Sequence, residues 1–266
     1  MSESLTLQSI SLGRTVRFDI YKPAVTFTGA EFSDNRLLLC NDGQDLVTMN
    51  FDAMVNPLFE QVQIKQLIVV GIHCGDDRLN EYGMASSADY KGRGSKGAAY
   101  QRFVLEELLP AVHLHLGVTR FVSYAYAGFS LGGLSAIDIA WNNPGWFNTV
   151  GVFSGSFWWR SKSQDASDYH PNKHRLMHRQ LRESEYRPGM KFFFQCGELD
   201  ETEDRDKNGV IDSIDDTFDI IKILVRMGYK EGPDIRYLQI PDGRHDVPTW
   251  ARALPIFLIW GWGANK

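Results

Sequence analysis

The chain has 266 residues, 43% of them hydrophobic, and 33 acidic against 28 basic side chains give a formal net charge of −5. That length and apolar content suit one large core in a single domain and exclude disorder, because disordered chains lack the apolar surface to offset their ordering entropy. The acidic balance gives no electrostatic reason to expect a nucleic-acid partner.

No run approaches the ~18 apolar residues of a membrane span. The N-terminus Met1-Ser2-Glu3-Ser4-Leu5 has neither the basic nor the apolar region of a secretory signal, so a cytoplasmic location without a membrane partner is expected. Cys40, Cys74 and Cys196 are odd in number and none sits in a CxxC pair. A disulfide framework or structural zinc site is therefore not indicated, and they read as small core hydrophobes.

Apolar runs bounded by turn signals fall at 16–21, 37–40, 67–72, 121–127, 150–153, 191–196 and 235–240. Several are nearly continuous, as expected of strands buried on both faces. Helical patterns lie between them at 99–116, 131–141, 217–227 and 248–259, with Pro110 expected to kink the first. The alternation predicts a mostly parallel central sheet with helices on both faces and no separate cap domain. Ligands are expected at the carboxyl ends of the strands. The stretches 161–187 and 198–216 read as polar insertions at strand ends.

Chemistry follows the strand at 121–127. Gly128-Phe129-Ser130-Leu131-Gly132 matches GxSxG between a strand and a helix. A nucleophilic serine there needs a sharp, strained turn, and a side chain at 128 or 132 would collide with the neighbouring strand or helix. Ser130 is the candidate nucleophile, and the Leu131 amide, at the helix N-terminus, is the expected oxyanion donor.

The strand at 191–196 runs into Gly197-Glu198-Leu199-Asp200-Glu201, which offers three carboxylates for the acid of a triad. Asp200 is the first choice, with Glu198 and Glu201 as alternatives. His245, in Gly243-Arg244-His245-Asp246 after the last strand, is the candidate base. The order serine, acid, histidine supports it, and His73 at the end of the strand at 67–72 is its rival.

After the acid, the segment from Asp204 to Asp215 has acidic or amide side chains at loop positions 1, 3, 5, 9 and 12, with Gly209 at position 6. This pattern resembles a calcium loop. Asp204, Asp206, Asn208 and Asp215 with the Val210 carbonyl would form a Ca2+ cage of structural role, and Asp212 would act directly or through water. His170, His174 and His178 stand at i, i+4, i+8 among Lys173, Arg175, Arg179 and Arg182, which reads as a solvated basic face. Trp158 and Trp159, beyond a strand end, are assigned to an acyl or aryl pocket.

Together these motifs resemble a family of α/β-hydrolases, the putative esterases, which includes enterochelin esterase, feruloyl esterase domains, esterase D-like enzymes and mycolyltransferases. Asn41-Asp42-Gly43-Gln44 resembles its Leu-Asp-Gly turn and Arg78-Leu79-Asn80-Glu81 its Arg-x-x-Glu segment. Gly128 to Gly133, Ser154-Gly155-Ser156-Phe157-Trp158-Trp159 and the His245 segment follow in the family's order. The resemblance implies an α/β-hydrolase fold and a carboxylic ester hydrolase forming an acyl-enzyme on a small-molecule ester, with no cofactor for catalysis.

The resemblance also implies the Gln44 backbone N–H as second oxyanion donor, Asp200 as the acid three residues after the strand-terminal glycine, and Arg78 at the substrate pocket. Arg244, where a second glycine is common, and the polar insertion after Asp200 depart from the pattern. Acyl transfer on the same site is the neighbouring expectation, and a calcium-stabilised binding protein on a hydrolase scaffold is the alternative from another class.

Overall fold

The computed structural model describes residues 2–22 and 35–264, and there the chain builds one eight-stranded sheet. In chain order the elements are β1 (Ser2–Ser9), β2 (Arg14–Tyr21), β3 (Arg36–Asn41), α1 (Gly43–Thr48), α2 (Phe51–Glu60), β4 (Leu67–Ile72), α3 (Arg78–Glu81) and α4 (Gly97–Arg102). There follow α5 (Leu109–Leu116), β5 (Ser123–Phe129), α6 (Leu131–Asn142), β6 (Phe147–Phe153), α7 (Pro171–His174), α8 (Leu176–Arg182), β7 (Lys191–Leu199), α9 (Asp212–Met227), β8 (Ile235–Arg244) and α10 (Val247–Trp262).

The strand order is β1-β2-β4-β3-β5-β6-β7-β8. β2 pairs antiparallel with both β1 and β4, and every other neighbouring pair is parallel. All seven apolar runs are strands. β1 is an additional edge strand.

Alternation within each strand divides the core between the two faces of the sheet. On β5, Tyr124 and Tyr126 join the cluster under α4, α5, α6, α8 and α9, whereas Ala125, Ala127 and Phe129 join the one under α1, α2 and α10. Because both faces are covered, the strands need apolar residues at successive positions, and β4 is buried at all six. At the expected kink, Pro110 stands at the N-terminal start of α5, where its missing N–H leaves no intrahelical bond unmade. Phe103–Leu108 forms a π-helical turn joining α4 to α5, which relieves the crowding between the proline ring and the preceding turn.

Two expectations change. α9 begins at Asp212, so Asp212 and Asp215 belong to a helix and not to a loop. The polar insertion at 161–187 contains α7 and α8, and its expected solvated basic face is partly buried: Leu176, Met177, His178 and Leu181 are covered in α8. Apolar residues interleaved with the cations dock α8 against α9. His178 Nε2 bonds the Asp216 carbonyl at 2.9 Å, and burial pushes its pKa down to about 4. Arg175 is also buried, bonded to Asp216 and Asp219 at 2.8 Å each.

Candidate active site

β5 and α6 meet at Ser130, whose φ of 55° and ψ of −122° put a non-glycine residue in a strained conformation. Such geometry costs about 1–3 kcal/mol and persists only where its surroundings enforce it. The Ser130 N–H donates to the Phe153 carbonyl at 2.8 Å, and the Ser130 carbonyl accepts the Ser156 N–H at 3.2 Å. The glycines are required by close approach: a Cβ on Gly128 would lie 2.4 Å from the Gly132 carbonyl oxygen, and one on Gly132 would lie 2.5 Å from Asp42 Oδ2. Ser130 Oγ is 2.8 Å from His245 Nε2, and with the ring neutral the hydroxyl donates.

His245 follows β8 directly and is partly exposed. Its position depends on another glycine pair. A Cβ on Gly197 would lie 2.4 Å from the Gly243 oxygen and 2.8 Å from Asp200 Oδ1, so the end of β7 and the turn before His245 are in direct contact. The indole Nε1 of Trp250 donates to Ser154 Oγ at 2.9 Å, and its ring meets the imidazole edge-on at 5.4 Å. Asp246 caps α10 through the Thr249 N–H at 3.0 Å, which fixes where the helix starts after His245.

Asp200 stands within electrostatic reach of the ring without a hydrogen bond to it. Its Oδ2 accepts the Gly197 N–H at 3.1 Å, and its buried Oδ1 has no partner among the described residues. Burial raises the Asp200 pKa, against the stabilising effects of the Gly197 N–H, the Ser154 hydroxyl and His245. Burial lowers the His245 pKa. Asp200 opposes that shift, Arg78 adds to it and Asp246 opposes it.

The other carboxylates are directed elsewhere: Glu198 accepts from Gln239 at 2.6 Å and Glu201 from the Ser213 N–H at 2.5 Å. His73 is likewise placed away from Ser130. It bonds Asp19 at 2.6 Å, across the β2–β4 pair.

Leu131 and Gln44 are the first and second residues of α6 and α1, where backbone N–H groups lack intrahelical acceptors. The two helix starts adjoin through Gly132, which packs on Asp42 and Asn41. Asn41 Nδ2 donates to the Gly132 carbonyl at 2.7 Å, and the hydroxyls of Tyr100 and Tyr126 donate to Asn41 Oδ1 at 2.7 and 2.8 Å. Arg78 binds Asp42 and donates to the Phe129 carbonyl at 3.4 Å.

Ser154, Ser156 and Trp250 have no individual role predictable from the sequence, although the two serines lie in the segment Ser154-Gly155-Ser156-Phe157-Trp158-Trp159. Ser156 Oγ is 3.5 Å from Ser130 Oγ. Trp250 gives no sequence signal beyond its place on a helix.

Trp159 does not belong to a pocket. It is fully buried and wedged against Gly83 and Gly94, where a Cβ on either would lie 2.7 Å from its ring. Trp158, two residues beyond Ser156, is partly exposed, with the Arg93 guanidinium 4.8 Å from its ring centre.

At the acidic loop, Asp204 accepts the N–H groups of Asn208 and Gly209 at 3.1 and 2.9 Å. Asp206 and Asp215 converge on the Asn208 amide at 3.1 and 3.3 Å. Val210 donates its N–H to Asn208 Oδ1 at 2.7 Å. Asp212 departs from the expected set. It accepts the Arg205 N–H at 2.8 Å and faces the Arg205 guanidinium at 3.6 Å, because this loop carries its own cation. Among the described residues, no three His, Cys, Asp or Glu side chains are already arranged to hold a metal. A cleft of about 490 Å³ lies beside this loop, lined by Arg175, Arg205, Asp206, Asn208 and Lys222 among others, away from Ser130.

A parallel-rich sheet covered on both faces, with a strained serine at a strand–helix elbow and a histidine after the last strand, defines the α/β-hydrolase fold. The chain belongs to the putative esterase family, whose model matches residues 9–260. It is 26% identical over 153 residues to the uncharacterized protein YbbA of Bacillus subtilis (strain 168), covering 56% of this chain and 60% of that one.

Enterochelin esterase from Shigella flexneri superposes with a TM-score of 0.72 at 20% identity, over 97% of this chain and 57% of its own length. An IroE-like serine hydrolase from Shewanella oneidensis gives 0.71 at 17% identity, over 98% and 79%. This chain thus spans less than two thirds of YbbA and of the Shigella enzyme. Among the described residues no helix is long and apolar enough to cross a membrane.

Proposed function

We propose that the protein is a serine carboxylic ester hydrolase. The observation that carries this reading is the 2.8 Å contact between Ser130 Oγ, held at a strained elbow, and His245 Nε2. His245 takes the hydroxyl proton as Ser130 Oγ bonds to the ester carbonyl carbon, and negative charge moves to the carbonyl oxygen. The Gln44 and Leu131 amides stabilise that oxyanion. Its collapse breaks the bond to the leaving alkoxide, which receives the proton from His245. Water, deprotonated by His245, then attacks the acyl carbon, and the bond to Ser130 Oγ breaks as His245 returns the proton to that oxygen, releasing the acid.

Asp200 holds the imidazolium while it is charged, through its unpartnered Oδ1. Trp158 borders the substrate, while the Arg78 guanidinium is turned to Asp42 and the Phe129 carbonyl.

A panel of p-nitrophenyl, feruloyl, thioester and siderophore-lactone substrates tests this reading. At least one ester is expected to be turned over, with kcat/KM falling on the acid side as His245 takes up a proton. The midpoint is expected below the ordinary histidine value of about 6.5, because burial and Arg78 both disfavour the charged ring. Absence of turnover across the panel, or a midpoint above that value, contradicts it.

We also propose that the acidic loop binds calcium through Asp204, Asp206, Asn208, Asp215 and the Val210 carbonyl, with a structural role. Its support is the convergence of Asp206 and Asp215 on one amide. An ion bound only by the folded state raises the melting temperature by mass action. Calorimetric titration of chelator-stripped protein is expected to show calcium heat and a higher melting temperature. Neither response at millimolar calcium would leave only a solvated loop.

A further inference from the structure

The turn that carries the Gln44 amide is held by an ion pair between segments 36 residues apart. Asp42 immediately precedes Gly43 and Gln44, with a left-handed φ of 59° and ψ of 50°. Its side chain is 1% exposed, and Arg78 takes both carboxylate oxygens, Nε to Oδ1 and Nη2 to Oδ2, at 2.7 Å each. Asp42 Oδ1 also accepts from the Gln44 side-chain amide at 3.2 Å. Oδ2 lies against Gly132, where a Cβ would come within 2.5 Å of it. One carboxylate therefore touches both the Gln44 turn and the helix start that carries Leu131.

Arg78 is itself held in place. Its guanidinium lies 5.0 Å from the centre of the Tyr82 ring, and the Tyr82 hydroxyl accepts the Asp42 N–H at 3.2 Å. The helical turn that carries Arg78 ends at Glu81, which is buried and clasped by Arg14 at 2.7 and 2.6 Å. The Arg-x-x-Glu spacing thus combines an anchor and an arm: Glu81 ties α3 to β2, and Arg78 reaches the oxyanion turn.

Charge makes the arrangement more than a scaffold. A reacting ester develops negative charge where the two amides converge, and a buried carboxylate beside them would oppose it. The guanidinium cancels that carboxylate and fixes its orientation through two bonds. Burial opposes the Arg78 charge, yet Asp42 outweighs it and raises the Arg78 pKa.

We propose that Asp42 and Arg78 are positioning residues for the reaction at Ser130: the pair sets the Gln44 and Leu131 amides relative to each other, and Arg78 cancels the Asp42 charge beside the developing oxyanion. This rests on the serine ester hydrolase reading and its two donors.

The test compares the wild type with Arg78→Gln, Arg78→Lys, Asp42→Asn and the double variant Asp42→Asn/Arg78→Gln, in saturation kinetics on one p-nitrophenyl ester, normalised to folded protein by circular dichroism. Arg78→Gln is expected to lower kcat about a hundredfold with KM within about threefold, because donor orientation matters chiefly in the transition state. Arg78→Lys keeps the charge but loses the two-pronged bond, and is expected to cost about tenfold in kcat. Asp42→Asn loses the same clamp without stranding a negative charge and is expected to fall between the wild type and Arg78→Gln.

The double variant leaves no stranded carboxylate and is expected to exceed Arg78→Gln about tenfold in kcat, an effect that loss of packing would not produce. A double variant no better than Arg78→Gln overturns the proposal, as does a change confined to KM. If Arg78→Gln does not fold, wild-type kcat in Arg78→Lys and in the double variant overturns it. Ester hydrolysis that survives Ser130→Ala would instead overturn the reading of the site itself.

Discussion

Ser130→Ala is expected to lower kcat on the order of 10⁵-fold or more while leaving the fold intact. In the proposed reaction the hydroxyl is the only group of the serine that reacts. Its removal leaves the Gln44 and Leu131 amides and the binding contacts, which alone supply a small part of such a rate enhancement. The strain at Ser130 lies in the backbone, and its hydrogen bonds to Phe153 and Ser156 use backbone atoms, so alanine keeps both. Circular dichroism and melting temperature should match the wild type, and a kcat within about tenfold of it would remove Ser130 from the reaction.

Asp200→Asn is expected to cost on the order of 10⁴ in kcat, because His245 would carry its positive charge without a carboxylate partner. Burial already disfavours the charged ring, and Asp200 is the first of the groups that oppose this. The two neighbouring acids provide the contrast. Glu198 is exposed and bonded to Gln239, so Glu198→Gln should stay within about threefold of the wild type. Glu201 secures the Ser213 N–H, so Glu201→Gln should loosen the start of α9 and cost less than about tenfold in kcat. If either of these proved the most damaging at equal folded concentration, that residue and not Asp200 would be the acid.

The sheet was readable because strands buried on both faces must be apolar at successive positions, and a six-residue run such as Leu67–Ile72 is too short for a buried helix. β1 lacked that signal. As an edge strand it places only Leu5 and Leu7 against the core, and its polar residues alternate with them. The start of α9 was hidden for a different reason. Asp212, Ser213 and Asp215 have loop chemistry, yet Ile214, Thr217 and Ile221 continue the buried stripe of the helix back through them.

The elbow could be read from the sequence because its constraint is local: two glycines, a serine and a helix start within five residues. Chain order and strand ends also pointed to Asp200 and His245, but other partners brought together by the sheet left no such signal. Asp42 with Arg78, Ser154 with Trp250 and His178 with the Asp216 carbonyl are pairs whose members are separated by 36, 96 and 38 residues. Nothing in either member of such a pair specifies the other. Trp159 shows the converse: an aromatic residue beyond a strand end suits a pocket or a core equally well, and only the glycines at 83 and 94 show that the space is filled.

Labelling with a fluorophosphonate, followed by mass-spectrometric mapping of the adduct, measures most directly whether Ser130 is an activated nucleophile. The Ser130–His245 contact predicts one adduct per chain, on Ser130, formed faster at pH 8 than at pH 5 and absent from Ser130→Ala and from denatured protein. An unlabelled native protein, or an adduct on any other residue, would contradict it.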